Sequence, residues 1–302
     1  MLPGLHHITA IAGDPQRNVD FYTQVLGLRL VKRTVNFDDP GSYHFYFGDR
    51  EGAPGTLLTF FAWPTAPQGR AGPGQFTSVA FEIPRGSVGE WNRKLAAAGV
   101  DSTEGEPRFG DDVISFRDPE GLNIELIASG DGTDASIRRL HSATLLTAQL
   151  EKSEATLTGL LQFDRIAEQG TRVRYRCGDA FLDLLPSEPG RGKMGKGAVH
   201  HVAWCVADAA MQLDLRERLK SSGARVSPIK NRVYFESIYF REPGGALIEI
   251  ATKGPGFTVD EPAESLGEKL CLPPWLEPIR ESIERRLPPI QLNEIAWAHR
   301  DR

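Results

Sequence analysis

The sequence predicts an α+β protein built from four copies of one βαβββ unit. Two apolar runs far apart in the chain open on the same histidine doublet, LHHITA (5–10) and VHHVAW (199–204). Each run leads into one helix-like segment and three strand-like segments. Two stretches between them repeat that order, and an internal repeat of this length defines the architecture.

In the first unit (5–63), LHHITAIAGD reads as a strand. PQRNVDFYTQVLG follows as a helix, with Pro15 in the first turn, apolar Val19, Tyr22, Val25 and Leu26 at helical spacing, and Gly27 as the stop. LRLVKRTVNF, SYHFYFGD and GTLLTFFAW complete it as strands. The second unit (75–128) runs FTSVAFEIP, the helix VGEWNRKLAAAG, then DVISFRDPEGLNIELIA. The third (139–186) runs RLHSATLLT, the helix SEATLTGLLQF, TRVRYRC and AFLDLLP. The fourth (198–252) runs AVHHVAWCV, the helix AAMQLDLRERLKSSG closed by Gly223, ARVSPIK, YFESIYFRE and GALIEIAT. ISFRDPEGLNIELIA of the second unit matches IYFREPGGALIEIAT of the fourth in detail. Loops rich in Gly, Pro and Ser (64–74, 129–136, 187–197) separate the units. The expected organisation is an N-terminal half (1–138), a C-terminal half (139–252) and a tail (253–302). The tail carries a helix, EPIRESIERRLPPI, as a clasp or subunit contact.

Composition narrows the function. The 302 residues are 40% hydrophobic and 25% charged, the mix of a globular protein, and the net charge is −5 with no basic stripe. This disfavours nucleic acid and anionic membranes as partners. No apolar run reaches the ~18 residues of a membrane span, and no leader-like segment opens the chain, so a cytoplasmic location is expected. Cys177, Cys205 and Cys271 lack paired spacing and are expected as buried free thiols. GRGKMGKG (190–197) approximates a phosphate-binding loop, but Gly197 stands where Ser or Thr belongs and a strand follows, so no nucleotide site is expected there.

Four βαβββ units with a strand-borne His and a terminal-strand Ile-Glu resemble the vicinal oxygen chelate superfamily, which includes glyoxalase I, bleomycin-resistance proteins and extradiol dioxygenases. LHHITAIAGDPQRNVDFYTQVLGLRLVK and FREPGGALIEIAT are similar to the branch of hydroquinone ring-cleaving dioxygenases. The resemblance covers roughly residues 5–252. It implies units paired into two cupped sheets, with a metal held inside a cup by the first and last strands. It also implies a homo-oligomer.

Superposing the units gives His7, Ser78, His141 and His201 at the first-strand position, and Thr59, Glu125, Asp183 and Glu249 at the last. Pairing the first unit with the fourth, as the hydroquinone branch does, yields His7, His201 and Glu249, with Thr59 where a fourth ligand would stand. Two His and one carboxylate with open positions suit non-haem Fe(II) and its oxygen chemistry. A Glu buried in ALIEIA needs a cation to offset its desolvation. Pairing the third unit with the fourth gives a rival set, His141, His201 and Glu249, and leaves open whether a second cup with Glu125, His141 and Asp183 binds anything. The resemblance further places His6, His200 and Tyr239 as catalytic groups and Arg232 and Thr9 as substrate contacts. The expected activity is Fe(II)-dependent ring cleavage of a small aromatic diol by O2. The alternatives are a glyoxalase-like isomerase or lyase using Mn, Zn or Ni, and a metal-free ligand-binding protein.

Overall fold

The computed structural model describes residues 2–292. Its sixteen strands form two eight-stranded sheets with the order of elements expected from the repeats. The first unit comprises β1 (Leu5–Ala12), α1 (Pro15–Asp20), β2 (Arg29–Asn36), β3 (Asp39–Gly48) and β4 (Leu57–Ala62). The second comprises β5 (Gln75–Pro84), α2 (Val88–Ala97), β6 (Ser102–Glu104), β7 (Asp112–Arg117) and β8 (Asn123–Gly130). The third comprises β9 (Arg139–Thr147), α3 (Leu150–Ala155), β10 (Asp164–Gln169), β11 (Arg172–Cys177) and β12 (Ala180–Pro186). The fourth comprises β13 (Val199–Val206), α4 (Ala209–Ser221), β14 (Lys230–Asn231), β15 (Glu236–Arg241) and β16 (Leu247–Thr252).

One sheet runs β14-β15-β16-β13-β1-β4-β3-β2 and the other β10-β11-β12-β9-β5-β8-β7-β6. The first unit is therefore paired with the fourth, and the second with the third, each through an antiparallel contact of first strands. Each sheet takes one unit from each half of the chain.

Local chemistry starts α1, α2 and α4 where the sequence indicates, whereas α3 starts at Leu150, three residues before SEATLTGLLQF, and its π-helical extension ends at Leu160. Asp14 caps α1 by accepting from the Arg17 amide at 2.8 Å, and Pro15 opens the first turn. A π-helical turn over Phe21–Val25 extends α1, and Gly27 leaves it at φ +75°. Asp208 caps α4 through the Met211 amide at 2.8 Å. Tyr22, Trp91, Leu157 and Leu215 from the helical segments are buried among sheet residues in one large apolar core. Burial on both faces explains why β1 and β13 carry almost no exposed position and read as continuous apolar runs.

The edge strands β6 and β10 form where no strand-like run stands out, and two further readings change. ARVSPIK forms only the two-residue β14 and one isolated bridge, Val226 to Phe240, because Pro228 interrupts pairing. The tail helix is short, α5 (Arg280–Glu284), preceded by a 3-10 turn; the tail beyond 292 lies outside the described residues. The tail on either side of α5 packs on the first unit. Leu270 bridges to Arg33 on the edge strand β2, the Cys271 amide donates to the Arg33 carbonyl, and Tyr43 Oη donates to the Pro288 carbonyl at 3.0 Å. The fully buried Lys32 ammonium reaches Asp260 at 2.6 Å and Glu261 under this clasp. All three cysteines are buried and free.

The glycine-rich loop 190–197 has a packing role. A Cβ on Gly195 would lie 2.2 Å from the Pro67 carbonyl oxygen, and one on Gly197 would lie 2.2 Å from that of Glu120. Those glycines let the linker lie flat against neighbouring backbone.

Candidate metal centre

The two histidine doublets meet across the β1–β13 pair. A strand alternates its side chains, so adjacent histidines face opposite ways unless the strand is distorted. It is distorted at both doublets. In β1, Leu5 pairs with Trp204 and His7 with Ala203, leaving His6 as the extra residue of a bulge. In β13, Thr9 pairs with His201 and Ala10 with Val199, leaving His200 as the extra residue. Each bulged histidine turns back on its neighbour: His6 Nδ1 lies 2.9 Å from His7 Nδ1, and His200 Nδ1 lies 2.7 Å from His201 Nδ1. The Nε2 atoms of His7 and His201 are thereby left to converge, 3.3 Å apart.

Glu249 completes the group. Ala203 pairs with Glu249 in the parallel β13–β16 contact, which brings the carboxylate beside both rings. Its Oε2 lies 2.8 Å from His201 Nε2 and 3.4 Å from His7 Nε2. Ser237 Oγ donates to Oε1, while Oε2 has no hydrogen-bond partner. Burial pushes the Glu249 carboxyl up, but the His7 and His201 rings outweigh this and hold it well below the usual carboxylate range. Three buried donor atoms aimed at one point, one of them a carboxylate oxygen without a hydrogen-bond donor, fit a cation. The other ring nitrogens are held by histidines, the supporting contact that orients metal-ligating imidazoles.

Thr59 stands where a fourth ligand would be. Thr9 pairs with Thr59 as Ala203 pairs with Glu249, and Thr9 and Ala203 each lie two residues beyond His7 and His201. The Thr59 hydroxyl is engaged elsewhere, 2.8 Å from Thr9 Oγ1 and 2.9 Å from His44 Nε2.

A cavity of about 320 Å³ opens onto the three donors. Tyr239, His200, Phe61 and Trp63 line it beside them, with Arg232, Lys230 and Asp38 also contributing. Tyr239 sits directly opposite Glu249 in the antiparallel β15–β16 pair, so the two share a face. Arg232 Nε donates to Tyr239 Oη at 3.1 Å, and its Nη2 reaches Asp38 at 3.0 Å. Burial pushes the Tyr239 phenol well above its ordinary value, and burial, then the neighbouring His201, drops the His200 imidazole to about 3.

Two expected contacts are not at the cavity. His6 lines a separate cleft with Gly52, Tyr234 and Phe257, under the tail, so it supports His7 and does not face a substrate. Thr9 is fully buried behind Thr59. Conversely, sequence reasoning passed over His44 and Tyr46, both in the cavity wall. The alternation in SYHFYFGD, which puts His44 and Tyr46 on one face, was the available signal.

His141 is not a rival ligand. It belongs to the other sheet, and its register is one residue off the expected position. Ala80 pairs with Ser142 and Phe81 with Leu140, so His141 is the bulged residue and corresponds to His6. Its Nδ1 contacts Ser142 Oγ at 3.0 Å, as His6 contacts His7. The ligand positions of the second cup are thus Ser78, Ser142, Glu125 and Asp183. Arginines satisfy both carboxylates. Arg108 holds Glu125 by two bonds of 2.6 Å, and Arg174 holds Asp183 at 2.7 and 2.9 Å, with Arg172 at 3.1 Å. Guanidinium forks supply there the positive charge that a cation would supply in the first cup.

The sequence profile of the Glyoxalase/Bleomycin resistance protein/Dioxygenase superfamily matches residues 4–126 and 139–250, and the chain belongs to that superfamily. It is 45% identical to the Bacillus subtilis protein named "Putative ring-cleaving dioxygenase MhqO", over 97% of this chain and 98% of that one. It is 35% identical to the chlorohydroquinone/hydroquinone 1,2-dioxygenase of Sphingobium indicum, over 94% and 95%. A crystal structure of a Bacillus subtilis protein 44% identical superposes with a TM-score of 0.92, covering 97% of this chain and 99% of that one. Maize glyoxalase I, at 16% identity and a TM-score of 0.65 over 83% and 92%, shares the fold. Among the described residues no helix is long and apolar enough to cross a membrane.

Proposed function

We propose that the protein is an Fe(II)-dependent, extradiol-type ring-cleaving dioxygenase acting on hydroquinone-type aromatic diols. The observation that carries this reading is the three-donor set His7, His201 and Glu249 with Thr59 at the fourth place. Three protein ligands leave room for both a substrate oxygen and O2, whereas a fourth carboxylate would favour isomerase chemistry with a closed set. The similarity to a relative named as a hydroquinone dioxygenase supports the choice of substrate.

Bound Fe(II) would supply the redox chemistry between ring and O2 and lower the pKa of a coordinated phenol. The chain's residues position and polarise. Phe61 and Trp63 offer aromatic faces to a planar ring. Tyr239 keeps its proton and donates it toward an oxygen held beside Glu249, while Arg232 fixes the phenol's orientation. His200 is neutral at working pH and faces the cavity as a hydrogen-bonding group for the substrate hydroxyl.

Oxygen uptake on adding hydroquinones to anaerobically iron-loaded protein tests this. Uptake in proportion to substrate supports it. No uptake with any diol, together with turnover of a hemithioacetal, would replace it with the isomerase reading.

A further inference from the structure

The pseudo-two-fold that relates His7 to His201 also relates two tyrosines. Tyr46 pairs with Thr59 in β3–β4 as Tyr239 pairs with Glu249 in β15–β16. Both line the same cavity. Their hydrogen bonds, however, run in opposite senses.

Tyr239 Oη receives the Arg232 Nε–H at 3.1 Å. A guanidinium only donates, so this phenol retains its own proton to give away. Tyr46 Oη lies 3.1 Å from His44 Nδ1, and His44 Nε2 lies 2.9 Å from Thr59 Oγ1. A neutral imidazole has one accepting nitrogen, and the phenol is a far stronger acid than the threonine hydroxyl. The Nδ1 atom therefore accepts a hydrogen bond from the phenol O–H, and Nε2–H donates to Thr59, whose hydroxyl passes on to Thr9 at 2.8 Å. Burial keeps His44 neutral. With its proton committed to His44, Tyr46 offers the cavity only lone pairs.

We propose that Tyr46 is a specificity-determining residue that accepts a hydrogen bond from the second, un-ionised hydroxyl of the substrate, with His44 and Thr59 as the positioning residues that fix its polarity. The inference rests on the aromatic-diol reading above and deepens it. One tyrosine reads an oxygen that has lost its proton; the other reads an oxygen that has kept it. A ring with a single hydroxyl satisfies only the first and leaves a buried acceptor unpaired, which disfavours its binding.

The test is anaerobic binding of hydroquinone and of phenol to the metal-loaded protein, followed by titration calorimetry. Phenol keeps the ionisable hydroxyl and lacks the second. The wild type is expected to prefer hydroquinone by about tenfold, the effect of one well-placed hydrogen bond to a buried acceptor. Tyr46→Phe, which preserves the ring, should bring the two ligands within about twofold while phenol affinity is retained. His44→Phe frees the Tyr46 proton to point at the substrate and should also lower the preference. A preference unchanged in Tyr46→Phe overturns the inference. Oxygen uptake by the wild type separates the two levels: uptake with an unchanged preference sinks the role of Tyr46 alone, whereas no binding and no uptake with any diol sinks the dioxygenase reading and this role with it.

Discussion

At the scale of single residues, the site depends on which atoms are left without partners. His7 and His201 hand one ring nitrogen to an adjacent histidine and aim the other at Glu249. Substituting Glu249→Gln should abolish tight metal binding, and His201→Ala likewise, while His141→Ala should retain one metal equivalent per chain. Elemental analysis after gel filtration would settle each case, and metal loss in His141→Ala would refute the assignment of the second cup. His6→Ala should weaken metal affinity by ~10–100-fold, the usual cost of losing an orienting contact, while leaving the fold intact. The ligands were legible in the sequence because repeats can be superposed and polar residues at equivalent positions of apolar strands stand out. Matching the units on a histidine alone puts His141 at the ligand position, whereas LHSAT laid without a gap on LHHIT puts His141 at His6 and Ser142 at His7, as the register has it. The bulge recurs at the same place in β1, β9 and β13, so it reverses the facing of the doublet without shifting one unit against another.

At the scale of elements, strands carry the chemistry and loops carry the spacing. Most strands and helices are legible because hydrophobic period and Gly and Pro punctuation agree; β6 and β10, short or largely exposed edge strands, carry no such period, and Pro228 breaks the run ARVSPIK. The cavity wall was not fully legible. Tyr46 and His44 come from a strand whose partner face depends on pairing with β4, and pairing is a long-range choice. The linker glycines were readable as loop residues but not as contacts. Gly197 combines φ +75° with a Cβ position 2.2 Å from a backbone oxygen, so Gly197→Ala should destabilise the protein by at least about 2 kcal/mol. Urea denaturation measures this, and a midpoint equal to wild type would show that the linker adjusts freely.

At the scale of the whole molecule, buried neutral histidines tie stability to pH. Burial lowers His6, His141 and His200 from 6.5 to about 3, and His44 well below its ordinary value. The unfolded chain therefore binds protons near pH 6.5 that the native chain refuses. Their stabilising contribution is complete above that value and is lost as the pH falls toward 3. The slope approaches about 1.4 kcal/mol per histidine per pH unit. The urea midpoint of metal-free protein should fall steeply between pH 7 and pH 5. A flat profile over that range would mean that these histidines remain solvated. The tail adds a second global constraint. It places Asp260 and Glu261 on the buried Lys32, so Glu261→Ala, which leaves Asp260 as the ammonium's remaining carboxylate, should cost about 1.5–3 kcal/mol in urea denaturation.

The arginine-filled cup has a consequence for how the other cup is supplied. The second cup carries its own positive charges, covalently, so its two buried carboxylates need no ion from outside. Only the cup of His7, His201 and Glu249 would then depend on an ion for its charge balance. Which metal would occupy that cup would then reflect what the surroundings offer, and a preparation's activity would report its history of exposure as well as its sequence.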